Sequence, residues 1–166
     1  MSESEGDFDS WATTFYDHYD RGSRVEYEFR FTRKLVITAR KWTSFIDEKI
    51  KQKTGYGRAR WQTLAAIAFS GGPVATLELS ERMGVQWPTL IRTLNAMDAE
   101  GLIERTQDLK DRRYRMITIS PTGRKLLEDV RQILDPLRSI KLSTFTTEEL
   151  MASERMLDRL LEVMAK

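Results

Sequence analysis

Four polar side chains at helical spacing, Gln86, Thr89, Arg92 and Thr93, have the right groups to read base edges. Glutamine can pair bidentately with adenine, arginine with guanine, and threonine can touch the thymine methyl. On a helix running from Gln86 these residues share one face, while Leu90, Leu94 and Met97 point the other way. A second set, Lys110, Arg112, Arg113 and Arg115, concentrates cations within a short charged stretch. An arginine at a hairpin tip can enter a narrow minor groove, where negative potential is concentrated. Asp111 stands among these cations, placed to orient one of the arginines through an ion pair. The bland alternatives are a solvated helix face for the first set and, for Asp108 and Asp111, ordinary turn chemistry.

Other chemistries are excluded by what the chain lacks. It has no cysteine, so a thiol nucleophile, a zinc-thiolate site and thiol redox sensing are ruled out. A single histidine, His18, argues against imidazole-rich metal sites and Ser-His-Asp triads. No phosphate loop, nucleophile elbow, zincin motif or dinucleotide fingerprint occurs, so an enzyme is not expected and no cofactor is assigned. No third ligand lies near Asp108 and Asp111, which sets a metal site aside. No apolar run approaches the length of about 20 residues that spans a bilayer. The N-terminus has neither the basic nor the apolar region of a secretory signal, so the cytoplasm is the expected compartment.

Charge is unevenly placed. The first 20 of 166 residues carry six acidic groups and no Lys or Arg, leaving 27 basic against 19 acidic side chains, or +8, on the remainder. A basic body fits an anionic partner, although a solvated surface would look the same.

The elements that must position these groups are mostly helical. Leu35, Ala39, Trp42, Ile46 and Ile50 give a helix over residues 25–53, and Trp61, Leu64, Ala65 and Ala68 a second over Arg58–Phe69. Thr76 is the expected N-cap of a short helix over 77–83, and Gly84 suits the positive-φ position that ends it. Pro88 fits the first turn of the next helix, which Gly101 closes. Two helices joined so tightly form a helix-turn-helix. Residues 102–106 and Arg115–Ile119 read as strands flanking the charged tip, which completes a winged helix. Leu126, Val130, Ile133, Leu137 and Ile140 mark a long helix that Pro136 is expected to kink. Thr146 and Glu149 form a capping box that opens a last amphipathic helix.

Taken in order, residues 77–83, Gly84, Pro88-Thr89-Leu90, Gly101-Leu102-Ile103-Glu104-Arg105, Asp111-Arg112-Arg113 and Ile117-Thr118-Ile119-Ser120-Pro121-Thr122-Gly123 resemble the MarR (multiple-antibiotic-resistance regulator) family of winged-helix transcription factors. The resemblance spans residues 60–127. Residues 1–25 lie outside the family's pattern, and Trp87 departs from it because a small polar residue is usual there. Trp87 either stacks on the DNA backbone or packs under the wing, and packing is the commoner fate of a lone aromatic.

The resemblance implies a mainly α fold with a small β-hairpin wing, in which N- and C-terminal helices form a dimerisation region. The boundaries expected are an acidic N-terminal extension over 1–24, disordered in part or packed on the dimer, helical dimerisation segments at 25–56 and 124–166, and a winged helix-turn-helix over 57–123. It further implies a homodimer on a pseudo-palindromic double-stranded DNA site, repression of a neighbouring operon, release by a small aromatic or phenolic ligand, and Arg113 as the minor-groove arginine. Twelve of the 16 aromatic residues fall between Phe8 and Trp61. That excess over one helix seam suggests an aromatic, anionic effector near Trp42, Trp61 and Arg60, with His18 and Arg58 as further polar partners. The competing reading is a winged-helix protein–protein module that does not bind specific DNA.

Overall fold

The computed structural model describes residues 11–107 and 115–165. The chain divides into two compact units, Met1–Glu48 and Lys49–Lys166.

In the first unit a 3₁₀ turn at Phe15–Asp17 precedes α1, Arg24–Thr54, whose last residues from Lys49 on are counted in the second. The segment before α1 folds back on its first turns through aromatic contacts. Phe15 is buried, stacks on Tyr19 at 4.7 Å, and meets Phe29 at 5.4 Å between ring centroids. Ser23 Oγ accepts from the Glu26 backbone N–H, so serine caps the helix. The Glu26 carboxylate turns away from solvent, 1% exposed, and accepts from the Gly22 backbone N–H, the Tyr16 hydroxyl and Arg30. The Gly22 N–H, followed by Arg30 and Tyr16, holds this carboxyl below its ordinary value against the opposing effect of burial. The part of the extension that is described is therefore ordered on α1.

The second unit holds α2 (Arg58–Phe69), β1 (Val74–Ala75), α3 (Thr76–Met83), α4 (Trp87–Ala99), β2 (Ile103–Gln107), β3 (Arg115–Ile119), α5 (Pro121–Lys141) and α6 (Thr147–Met164). The strands make an antiparallel sheet ordered β1-β3-β2, with Val74 opposite Ile117 and Ile103 opposite Ile119. Leu64, Ile67, Val74, Leu79, Leu90, Leu94, Met97, Leu102, Ile117, Leu126 and Val130 are buried and form the core. Burial of these side chains, at about 25 cal/mol per Å² of apolar area, holds the helices against the sheet.

Two local outcomes differ from the sequence reading. Thr76 does not cap α3: Ala75 occupies that position with no side-chain cap bond. The reason is β1, whose pairing keeps the backbone extended through Ala75. A strand of two residues is too short to leave a periodicity in the sequence. Leu102 is not in β2, because its backbone N–H closes the end of α4 on the Met97 carbonyl and its side chain is buried. Helix α5 runs through Pro136 to Lys141.

Two features join the end of α4 to the start of α5. Gly101 turns the chain at φ +68°. Ser120 Oγ then donates to the Gly101 carbonyl and accepts from the Gly123 backbone N–H, capping α5. The capping box of α6 is present, with Thr146 and Glu149 each bonding the other's backbone N–H. None of the α6 side chains is buried, and Leu150, Met151, Leu157, Leu161, Val163 and Met164 are exposed.

Candidate nucleic-acid interface

The outward face of α4 carries the expected groups. Gln86 is its N-cap residue, and Gln86, Thr89 and Arg92 are exposed while Thr93 is half-buried. The Thr93 hydroxyl donates to the Thr89 carbonyl at 3.1 Å, which leaves its oxygen lone pairs and methyl for contact. Leu90, Leu94 and Met97 are at most 1% exposed on the opposite side. This division follows from the 3.6-residue period. Gln86 makes no side-chain cap bond, so the first turn of α4 presents its positive end uncovered by a side chain.

The turn ahead of α4 is fixed by backbone chemistry. Gly84 sits at φ +59°, its N–H and that of Val85 closing on the end of α3, and Ser80 Oγ donates to the Val85 carbonyl at 2.7 Å. A left-handed residue is needed there, which is why glycine marked the turn in sequence.

Beside α4 stands the β2–β3 ladder, in register from Ile103–Ile119 to Gln107–Arg115. Arg115 is exposed at the outer end of that ladder. Lys110, Asp111, Arg112 and Arg113 lie outside the described residues. Trp87 is 46% exposed and lines a 560 Å³ cavity with Leu77, Ile91, Arg105, Arg115 and Ile117, at the foot of the hairpin.

Charged groups to which the sequence reading gave no part in holding α4 do hold it. Arg105 on β2 donates to Asn95 Oδ1 at 2.7 Å and lies 3.3 Å from Asp98 Oδ2. Arg60, on the first turn of α2, grips Glu100 with Nε to Oε2 at 2.8 Å and Nη2 to Oε1 at 2.6 Å. Arg60 pulls the Glu100 carboxyl below its usual value, and Glu100 raises the arginine in return. The Arg60–Glu100 tie joins residues 40 apart in sequence, whereas Arg105 lies within ten residues of its partners across the turn from α4 to β2.

The effector residues are distributed. His18 is exposed after the 3₁₀ turn, and Trp42 is half-buried on α1 with its ring 6.5 Å from Phe45. Arg58 is half-buried at the start of α2, and the Arg60 guanidinium is engaged by Glu100. Trp61 is half-buried, and its indole N–H is buried with no acceptor among the described residues. A separate cavity of 570 Å³ is lined by Lys53, Thr54, Tyr56, Thr122, Lys125 and Asp129 among others. Among the described residues there is no cluster of three potential metal ligands, and no helix is long and apolar enough to cross a membrane.

Residues 54–113 match the family model of the MarR family. The fold is shared with solved regulators. The transcriptional regulator PA3341 is 28% identical, with a TM-score of 0.73 over 81% of this chain and 98% of that one. A mutant MarR from E. coli complexed with operator DNA is 18% identical, with a TM-score of 0.72 over 84% of this chain and 99% of that one. MarR from Staphylococcus aureus, in complex with salicylate and kanamycin, is 21% identical, with a TM-score of 0.75 over 84% and 93%.

Proposed function

We infer that this chain, which through its winged-helix region belongs to the MarR family of transcriptional regulators, acts as a homodimeric repressor on a pseudo-palindromic operator. The observation that carries the reading is the α4 face: exposed Gln86, Thr89 and Arg92, backed by buried Leu90, Leu94 and Met97, beside a two-stranded hairpin. Such a helix enters the major groove while the wing reaches the adjacent minor groove. In this reading Gln86, Thr89, Arg92 and Thr93 read bases, and Lys110, Arg112, Arg113 and Arg115 engage the backbone and minor groove. Asp111 orients a wing arginine. The operator complex of the E. coli relative supports DNA as the partner.

The apolar residues exposed along α6 support a second copy of the chain as their cover, because a monomer gains nothing by leaving such a helix uncovered. The dimerisation region is proposed as residues 25–56 with 124–166, and the DNA-binding region as 57–123. The acceptorless indole N–H of Trp61 supports a small effector with an acceptor group, of aromatic or phenolic character, and the salicylate complex of the S. aureus relative agrees in kind. Arg60 is paired with Glu100 and would receive such a ligand only by exchanging that partner. Bound at an operator, the dimer represses by occlusion, in the same compartment as its DNA.

The test is capture of randomly sheared genomic DNA from the source organism, followed by sequencing, with sedimentation of the free protein alongside. Enrichment of one pseudo-palindrome and a mass of two chains are expected. Absence of any enriched sequence at moderate salt would refute the reading and favour a protein–protein module. A panel of phenols and aromatic acids that neither raises the melting temperature nor releases the captured DNA would refute the effector.

A further inference from the structure

Base readout needs more than a polar face, because the axis of α4 must also be held at a fixed angle. From Gln86 to Glu100 the helix runs about 21 Å at 1.5 Å per residue. A tilt of about 3° around its C-terminal end therefore displaces Gln86 by about 1 Å, which is enough to spoil a bidentate base contact. Whatever grips the C-terminal end controls the reading end.

The grip is visible, and each of its charges is oddly placed for its own helix. Arg60 lies in the first turn of α2, at the positive end of that helix dipole, and Glu100 is the C-cap of α4, at the negative end. Each charge disfavours the helix that carries it, so neither position is explained by local helix stability. Together they make a two-pronged guanidinium–carboxylate pair between helices, across 40 residues of sequence. Its planar geometry constrains direction as well as distance. On the opposite flank Arg105 ties Asn95 and Asp98 of α4 to strand β2.

We propose that Arg60 and Glu100 are positioning residues for DNA reading, a tie from α2 that sets the angle of α4 and thereby the ratio of specific to non-specific binding. The proposal rests on the DNA-reading function inferred above. The pair touches no base in this account and acts only through the helix it holds.

The experiment compares the captured operator with a scrambled duplex of equal length, at one salt concentration, for the wild type, Arg60→Gln, Glu100→Gln and the exchange Arg60→Glu/Glu100→Arg. Arg60→Gln removes a positive charge and Glu100→Gln removes a negative one, so phosphate attraction changes in opposite directions. A tie that positions α4 predicts the same direction for both: the operator-to-scrambled ratio falls roughly tenfold in each, equivalent to about 1.4 kcal/mol. The exchange keeps the net charge, rebuilds the pair and places each charge at the favourable end of its helix, so it should recover most of the ratio.

Opposite shifts in the two single variants would overturn the proposal in favour of simple long-range electrostatics. Unchanged ratios would also overturn it, as would a loss that follows the melting temperature alone. If the exchange variant fails to fold, the two single variants still decide. A wild type that does not distinguish operator from scrambled duplex would instead refute the DNA-reading function, and this proposal with it.

Discussion

Replacing Gly123 by alanine tests whether the junction between the end of α4, the sheet and α5 is as tightly closed as the structure shows. Gly123 lies in the first turn of α5, and its N–H bonds Ser120 Oγ. A methyl built on it would overlap the Leu102 carbonyl oxygen and lie 3.0 Å from both Ile119 Cγ1 and Leu64 Cδ2. Comfortable carbon contacts are about 3.5–4.0 Å, so two core side chains must retreat by about half an ångström or more. The carbonyl cannot rotate aside, because the Leu102 oxygen also accepts the Ser120 N–H. Overpacking of this kind costs about 1–3 kcal/mol, and a clash with backbone belongs at the upper end. Alanine's better helix propensity returns up to about 1 kcal/mol. A net loss of about 2 kcal/mol or more follows, which is a large part of a typical stability of about 5–15 kcal/mol.

The assay is urea unfolding at fixed protein concentration, with Gly72→Ala as the control. Gly72 has a negative or extended φ and nothing within 4 Å of its would-be methyl, so that variant should stay within about 0.5 kcal/mol of the wild type. A Gly123→Ala protein as stable as the control would refute the packing argument.

Further expectations concern the ends of the chain and its ionic surface. Thr146→Ala removes the capping box of α6 and should cost about 1 kcal/mol, read as an earlier, more concentration-dependent melt; a melt unchanged at all concentrations would deny α6 a part in assembly. Glu26 has a folded-state pKa below its ordinary 4.5, so its contribution is present above that value and is lost as pH falls through the lowered one. The wild type should therefore lose stability on acidification more steeply than Glu26→Gln below about pH 4.5, and equal acid slopes would contradict the role given to that carboxylate. DNA affinity should fall steeply as salt rises, with a slope reduced by roughly one in Arg113→Ala; a flat salt dependence would remove the phosphate-binding account.

Much of the fold is legible in sequence because its punctuation is backbone chemistry. Gly84 and Gly101 sit at positive φ where the turn and the helix end require it, and Pro88 opens α4 in its first turn. The α4 face is legible for the same reason: Leu90, Leu94 and Met97 set the buried side, and the polar face follows by geometry. Pairings across long stretches leave no such trace. Strand β1 exists only because Val74 and Ala75 meet Ile117 and Met116, and Arg60 looks like a free cation until Glu100 is placed beside it. In the same way the paired hydrogen bonds of Ser120 to Gly101 and Gly123 become visible only in the structure. The charge of Glu100 at a helix C-terminus was the one local hint, since an unpaired carboxylate there is unfavourable.

The central claim is that α4 reads sequence, and a footprint of the captured operator by the wild type and Arg92→Ala tests it most directly. The account predicts two protected half-sites separated by about 10 bp centre to centre, or a multiple of it. Arg92→Ala should lose about 1–3 kcal/mol of discrimination at one base pair in each half-site and little elsewhere. A single unpaired footprint, or an equal loss on every sequence, would contradict it.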